Sequence, residues 1–251
     1  MKHIITRILA GATIAMSPMA VGATDFFDTS RSSRIIEGEV HATLGASWFT
    51  QNYGDNIPQM QSLNMTPGAM VGLGARVQLA IHDFFAIGTS LNVNMHNNSL
   101  TAIVTSHEPD NTAGFTGDSR YYYVNIPVYA SIRFNIADNV RWNVDGGLYY
   151  AYGIGGRSKS NIYITYQNEL GQFITEHFYD RDSYFSESAP LLHDIHRSDY
   201  GLHIATGLKF YNHYCINFVA QYGLKNVAEK KNTTDMSVHN LNVSVALGYE
   251  F

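Results

Sequence analysis

The sequence predicts an all-β chain, an eight-stranded antiparallel up-and-down transmembrane β-barrel. Three observations predict it. Apolar and polar residues alternate with a period of two along nearly the whole chain. Short and long connections between the alternating segments take turns without exception. Beyond the N-terminal leader, no apolar run reaches the roughly 20 residues that a membrane-crossing helix requires.

The chain opens like an export signal. Lys2 and Arg7 supply the positive start, Ile8 to Met16 an apolar stretch, and Val21-Gly22-Ala23 small residues for cleavage. Residues 1–23 are therefore expected to be a signal peptide, 24–38 a short periplasmic segment and 39–251 the barrel. Without Lys2 and Arg7, the 16 basic residues fall to 14 against 21 acids, a formal charge of −7. That balance argues against a nucleic-acid partner. Cys215 is the only cysteine, so no internal disulfide can form.

The strands are expected at 39–50, 69–81, 85–96, 121–134, 140–154, 200–211, 214–225 and 238–251. Each is long enough to cross a bilayer at a tilt. In the fourth, even positions from Val124 to Phe134 are apolar, while Asn125, Ser131 and Arg133 take odd positions. In the last, Leu241, Val243, Val245, Leu247, Tyr249 and Phe251 alternate with Asn242, Ser244 and Glu250. The short links are His82-Asp83-Phe84, 135–139 and Asn212-His213. The long ones are 51–68, 97–120, 155–199 and 226–237. Barrels of the outer membrane sort their connections in this way, with tight periplasmic turns and longer extracellular loops. An even strand number leaves both termini on the periplasmic side. Aromatics gather near the strand ends, as interfacial girdles do: Phe85, Phe134, Trp142, Phe210, Tyr214, Tyr249 and Phe251 at one rim, Trp48, Tyr122, Tyr150, Tyr152, Tyr200 and Tyr222 at the other. A soluble lipocalin-like barrel is the competing architecture, and the loop asymmetry opposes it. Pro127 lies within a strand and predicts a local bulge.

Several motifs together resemble the PorT-like outer-membrane β-barrel family of Bacteroidetes. They are Pro67-Gly68, Tyr123-Val124-Asn125-Ile126-Pro127, Asp145-Gly146-Gly147-Leu148-Tyr149, Asp199-Tyr200-Gly201-Leu202, Tyr222-Gly223-Leu224-Lys225-Asn226 and the ending Gly248-Tyr249-Glu250-Phe251. Each is weak alone; their order carries the likeness. The resemblance implies the cell outer membrane and the barrel fold, and little about activity, since some members assist protein secretion. Phe251 resembles the terminal signal read by the barrel assembly machinery.

Parity sends Glu39, His41, Arg76, Arg133, Arg141, Asp145, His203, Lys209 and Glu250 inward. Eight strands leave just enough interior for side chains to fill. Glu39, Arg76, Arg133, Arg141, Asp145, Lys209 and Glu250 are thus expected to form a polar network that plugs the lumen, with an ion or proton path as the alternative. Cys215 is expected to pack inward rather than act as a nucleophile. No catalytic, cofactor or metal site is expected. His193-Asp194-Ile195-His196 could supply metal ligands but shows no period that would converge them. Ser237 and His239 share parity, the nearest approach to a hydrolase pair, without a positioned acid.

In the longest loop, Ile162, Ile164 and Tyr166 alternate before Asn168-Glu169-Leu170-Gly171, and Phe173, Thr175, His177 and Tyr179 follow. This pattern predicts a projecting hairpin. Its aromatics, with Tyr184 and Phe185, either bind a partner or close the barrel mouth. The function expected is a non-enzymatic outer-membrane barrel whose extracellular loops bind or assemble a surface complex. The alternatives are a barrel enzyme of deacylase or protease type, an accessory of protein secretion, or a pore. Expected partners are outer-membrane lipid and lipopolysaccharide, the assembly machinery, and a surface protein or glycan at loop 155–199.

Overall fold

A computed structural model describes residues 26–52, 60–105, 112–185, 195–227 and 237–251. The described residues form ten strands: β1 (Ile36–Asn52), β2 (Met60–Thr66), β3 (Gly68–His82), β4 (Phe85–Thr105), β5 (Thr112–Ala137), β6 (Val140–Gln167), β7 (Phe173–Ser183), β8 (Ser198–Phe210), β9 (Tyr214–Gly223) and β10 (Ser237–Glu250). Eight of them close a ring in the order β1-β3-β4-β5-β6-β8-β9-β10, and β10 pairs antiparallel with β1 from Glu250↔Glu39 to Ser237↔Asn52. Closure gives every wall strand a neighbour on both sides, which is what a sheet needs to lie in hydrocarbon. The two remaining strands lie outside the ring. β2 pairs with the end of β4, and β7 with the end of β6.

Burial divides the two faces as lipid and a packed lumen require. Leu44, Leu73, Val77, Leu91, Val128, Leu148, Ile204, Phe218, Val243 and Leu247 are all exposed on the outer face. Glu39, Gln78, Asn125, Arg133, Asp145, His203 and Asn217 are all buried on the inner one. A water-soluble monomer does not display an apolar band of this extent. Tyr122, Tyr150, Tyr152, Tyr200 and Tyr222 edge the band at one rim, and Tyr214, Tyr249 and Phe251 at the other.

The turn between β8 and β9 shows how tightly the short links close. Tyr211 and Asn212 have φ of 50° and 59°, and the His213 N–H donates to the Phe210 carbonyl at 3.0 Å. This is a type I′ turn, whose twist matches that of the flanking strands.

Three expectations need correction. The span 97–120 is mostly strand: β4 continues to Thr105 and β5 begins at Thr112, paired throughout. The span 155–199 carries β6 on to Gln167 and then β7, and 51–68 contains β2. Above the lipid band burial still alternates along β4, but the faces differ in chemistry: Leu100 and Ala102 are buried against Phe115, while Ser99 and Thr101 turn outward, so an apolar outer face no longer marks the strand. β1 also begins at Ile36 rather than 39, which brings Glu37 into the wall. Finally, Pro127 causes no bulge. The β4–β5 register is the same on both sides of it, and only the Ser90–Pro127 and Leu91–Ile126 pairings drop out. One missing N–H costs a ladder bond without shifting the chain. The bulge lies elsewhere: Tyr123 pairs with Gly153 but Tyr122 with Gly155, so Ile154 is the extra residue. From there upward the inward and outward parities of β6 are exchanged.

Candidate functional site

The lumen is filled in three tiers. At the periplasmic end, the Arg133 guanidinium on β5 donates to both carboxylate oxygens of Glu37 on β1, at 3.1 and 2.6 Å, and to Gln78 Oε1 at 2.6 Å. Glu39 and Glu250 stand directly opposite each other on β1 and β10. Two facing carboxylates repel, and each has its own cation. Lys209 Nζ donates to Glu250 at 2.7 Å, and Arg76 lies 3.5 Å from Glu39. His41 Nδ1 is 3.3 Å from the other Glu39 oxygen. Glu39 folds over Gly248, where a Cβ would stand 2.4 Å from its Oε1, so the small residue makes room for the acid. Cys215 is buried beside Glu39 and Glu250, and its Sγ faces the His213 carbonyl at 3.9 Å.

In the middle tier, Asp145 accepts from Ser131 at 2.6 Å and from Asn143 at 3.0 Å. Gln78 donates to the Tyr129 hydroxyl, and Arg76 lies over the same ring, 5.6 Å from its centroid. Asn125, Gln221 and His203 are hydrogen-bonded in series. Fully buried charges and amides survive only when partnered in this way. Among the described residues the packing leaves small cavities, of about 40 and 10 Å³, room for a few water molecules.

At the extracellular mouth the filling turns aromatic. Tyr121 stacks on His96 at 5.2 Å and on Tyr184 at 4.1 Å. Tyr123 and Phe185 meet these rings edge-on, and Phe49, Val227 and Val238 complete the cluster. Beneath it the Tyr149 hydroxyl and the Asn240 amide both donate to Asp199 Oδ2 at 2.8 Å. The segment after β7 thus folds back as a stopper.

At the opposite mouth, residues 26–35 lie against the short turns. The Phe26 carbonyl accepts from Asn135, Asp28 from Phe84 and Ser30 from Asp83. Phe26 and Phe27 pack on Phe134 with centroids 5.1 and 4.9 Å away. The Ser30 hydroxyl and N–H hold the Asp28 carboxyl below its ordinary value.

Of the residues expected to share the lumen, Glu39, Arg76, Lys209 and Glu250 meet in the lower tier, with Arg133 one step away through Glu37. Asp145 is held by hydroxyl and amide donors rather than by a cation. Arg141 sits half-buried at the rim, with its Nε 3.3 Å from Asn135. Glu37 shares parity with Glu39, a signal lost because the strand was expected to begin later. The sequence marked Asp199 only within a motif and Tyr184 only as one of the loop aromatics that could close the mouth; their partners come from distant strands and so were not legible. His193 and Asp194 lie outside the described residues. Ser237 and His239 flank the buried Val238, so they turn outward and not into the lumen; the His239 ring stacks on Tyr222 at 6.0 Å.

The predicted hairpin forms. β6 and β7 pair from Arg157↔Ser183 to Gln167↔Phe173, with Gly171 at φ +77° in the turn. Its aromatics divide. Tyr184 is buried in the mouth, whereas Phe173, Phe178 and Tyr179 are exposed beyond the membrane band.

A family model described as outer membrane protein beta-barrel domain matches residues 29–229. Solved structures resemble the chain at low identity. The attachment invasion locus protein Ail of Yersinia pestis, in complex with the heparin analogue sucrose octasulfate, is 14% identical with a TM-score of 0.32, over 85% of this chain and 99% of that one. Neisserial surface protein A is 11% identical with a TM-score of 0.33, over 87% and 98%. The N-terminal β-barrel domain of Pseudomonas aeruginosa OprF is 12% identical with a TM-score of 0.29, over 86% and 97%. No curated protein matches the sequence.

Proposed function

The chain belongs to the outer membrane protein beta-barrel domain family, and from that premise we propose that it is a closed, non-enzymatic barrel whose working surface is the strand-built crown above the membrane. Residues 1–23 act as its export signal, and the stretch from there to the start of β1 at Ile36 as a periplasmic segment that leads into the barrel. The order of its motifs supports reading it as similar to the PorT-like barrels. Glu39, Arg76, Arg133, Arg141, Asp145, Lys209 and Glu250 serve to fill the lumen and fix register, and Phe251 serves assembly.

The observation that carries this reading is the contrast between interior and crown. The lumen is spent on internal pairs and a stacked stopper. The β6–β7 hairpin instead holds Leu170 82%, Phe173 65%, Phe178 52% and Tyr179 77% exposed, above any lipid that could cover them. Displayed aromatics on a rigid strand pair suit a protein or glycan partner. A photo-crosslinking residue at Phe178 or Tyr179 should yield a discrete adduct on intact cells, and one at Ile204, in the lipid band, should not. Absence of an adduct from both hairpin positions would reject the binding crown.

A further inference from the structure

We propose that the outer face of the crown holds a binding site for the phosphates of the phosphorylated glycolipid that forms the outer leaflet. The site is built from Arg120 on β5, Arg157 and Lys159 on β6 and Arg181 on β7. It deepens the reading of the crown as a binding surface and relies on the same inside–outside assignment.

The bulge at Ile154 creates the cluster. Below it the odd residues of β6, such as Asp145 and Tyr149, face the lumen; above it Arg157 and Lys159 face outward. The register then sets Arg120 directly opposite Arg157, and Lys159 directly opposite Arg181. All four are exposed. Like charges facing each other across strands destabilise a sheet unless an anion lies between them. Asp118, opposite Lys159, already accepts from Ser99 at 2.6 Å, and Asp180, which lies beside Lys159 and Arg181, accepts from the Arg181 backbone N–H at 2.7 Å. Arg120 donates through Nε to Asn97 at 3.1 Å. Among the described residues none of the four forms an ion pair, whereas the cations Arg76, Arg133 and Lys209 inside the barrel all do.

Location selects the ligand. Arg120 is two residues beyond Tyr122 on the same face of β5, and Arg157 lies just past Tyr152 and Ile154 on β6. Tyr122 and Tyr152 belong to the upper girdle, which marks the head-group level. The cluster therefore continues the lipid-facing band upward by one step, where lipid phosphates lie. Adjacent strands are about 4.8 Å apart and alternate residues about 6.6 Å apart. Neighbouring cations in that grid can share one phosphate through charge-assisted hydrogen bonds.

The test uses the full mature chain refolded into phosphatidylcholine vesicles that contain either bisphosphorylated or dephosphorylated lipid A. After detergent extraction and washing, the parent should retain about tenfold more of the phosphorylated form. Arg157→Gln/Lys159→Gln, and separately Arg120→Gln/Arg181→Gln, should lose that preference while keeping heat-modifiable mobility. A sign reversal gives an independent readout. In phosphatidylcholine alone, Arg157→Gln should raise the urea midpoint by removing a like-charge contact; with phosphorylated lipid A it should lower it. Equal retention of both lipids, unchanged retention by both variants, or a midpoint that moves the same way in both vesicles overturns the proposal. Competition by millimolar inorganic phosphate as effective as added lipid A would assign the site to a free anion and overturn it as well. A parent that inserts and shows no lipid preference refutes this site alone. A parent that does not insert refutes the membrane barrel itself.

Discussion

Arg133 and Glu37 meet across the lumen, not along the wall: β5 and β1 are not neighbours, yet the two terminal guanidinium nitrogens donate one to each carboxylate oxygen, at 3.1 and 2.6 Å. The pair ties together two wall strands three places apart in the ring, where the chain enters it. Arg133→Ala leaves a buried carboxylate with Lys209 4.0 Å away as its remaining cation. It should cost about 3–5 kcal/mol in urea unfolding of the refolded barrel. The double replacement Arg133→Met/Glu37→Met should recover most of that loss, because no unpaired charge remains. A double variant as unstable as the single one would show that the pair acts by shape rather than by charge.

The plugged lumen makes a second prediction. Homogeneous protein in planar bilayers should show no steady open conductance, since ionic pairs fill one end and the Tyr121–Tyr184 stack closes the other. Tyr184→Ala should leave conductance unchanged, because the lower tiers still obstruct the path. A stable, ion-selective conductance from the parent would refute the filled interior.

Orientation can be read by labelling. In a Cys215→Ser background, Leu170→Cys in the hairpin turn should react with an impermeant thiol reagent on intact cells. Asp138→Cys, in the exposed turn between β5 and β6, should react only after the outer membrane is opened. Labelling of Asp138→Cys on sealed cells would invert the topology.

Phe251 separates assembly from stability. Its N–H donates to the Gly38 carbonyl at 2.9 Å and its carbonyl accepts from Arg34, bonds that any residue could make, while the ring is 61% exposed. Phe251→Ala should therefore cost only about 1–2 kcal/mol in the refolded barrel. In cells it should lower the yield of heat-modifiable protein much more severely. Equal losses in both settings would leave the residue no special part in assembly.

The sequence by itself determined the wall. Side chains alternate strictly along a strand, so one apolar face and one polar face declare themselves locally, and the sorting of tight and long links fixed the number of wall strands. The inward parity of Glu39, Arg76, Arg133 and Glu250 was legible for the same reason. Only the tertiary structure decided who pairs with whom. Arg133 is 96 residues from Glu37, Tyr121 and Tyr184 come from different strands, and ring closure brings each together. It also decided which way the upper strand of the hairpin faces. The single extra residue at Ile154 exchanges the two faces of β6, and a bulge is visible only in the register between two strands, never in either strand alone.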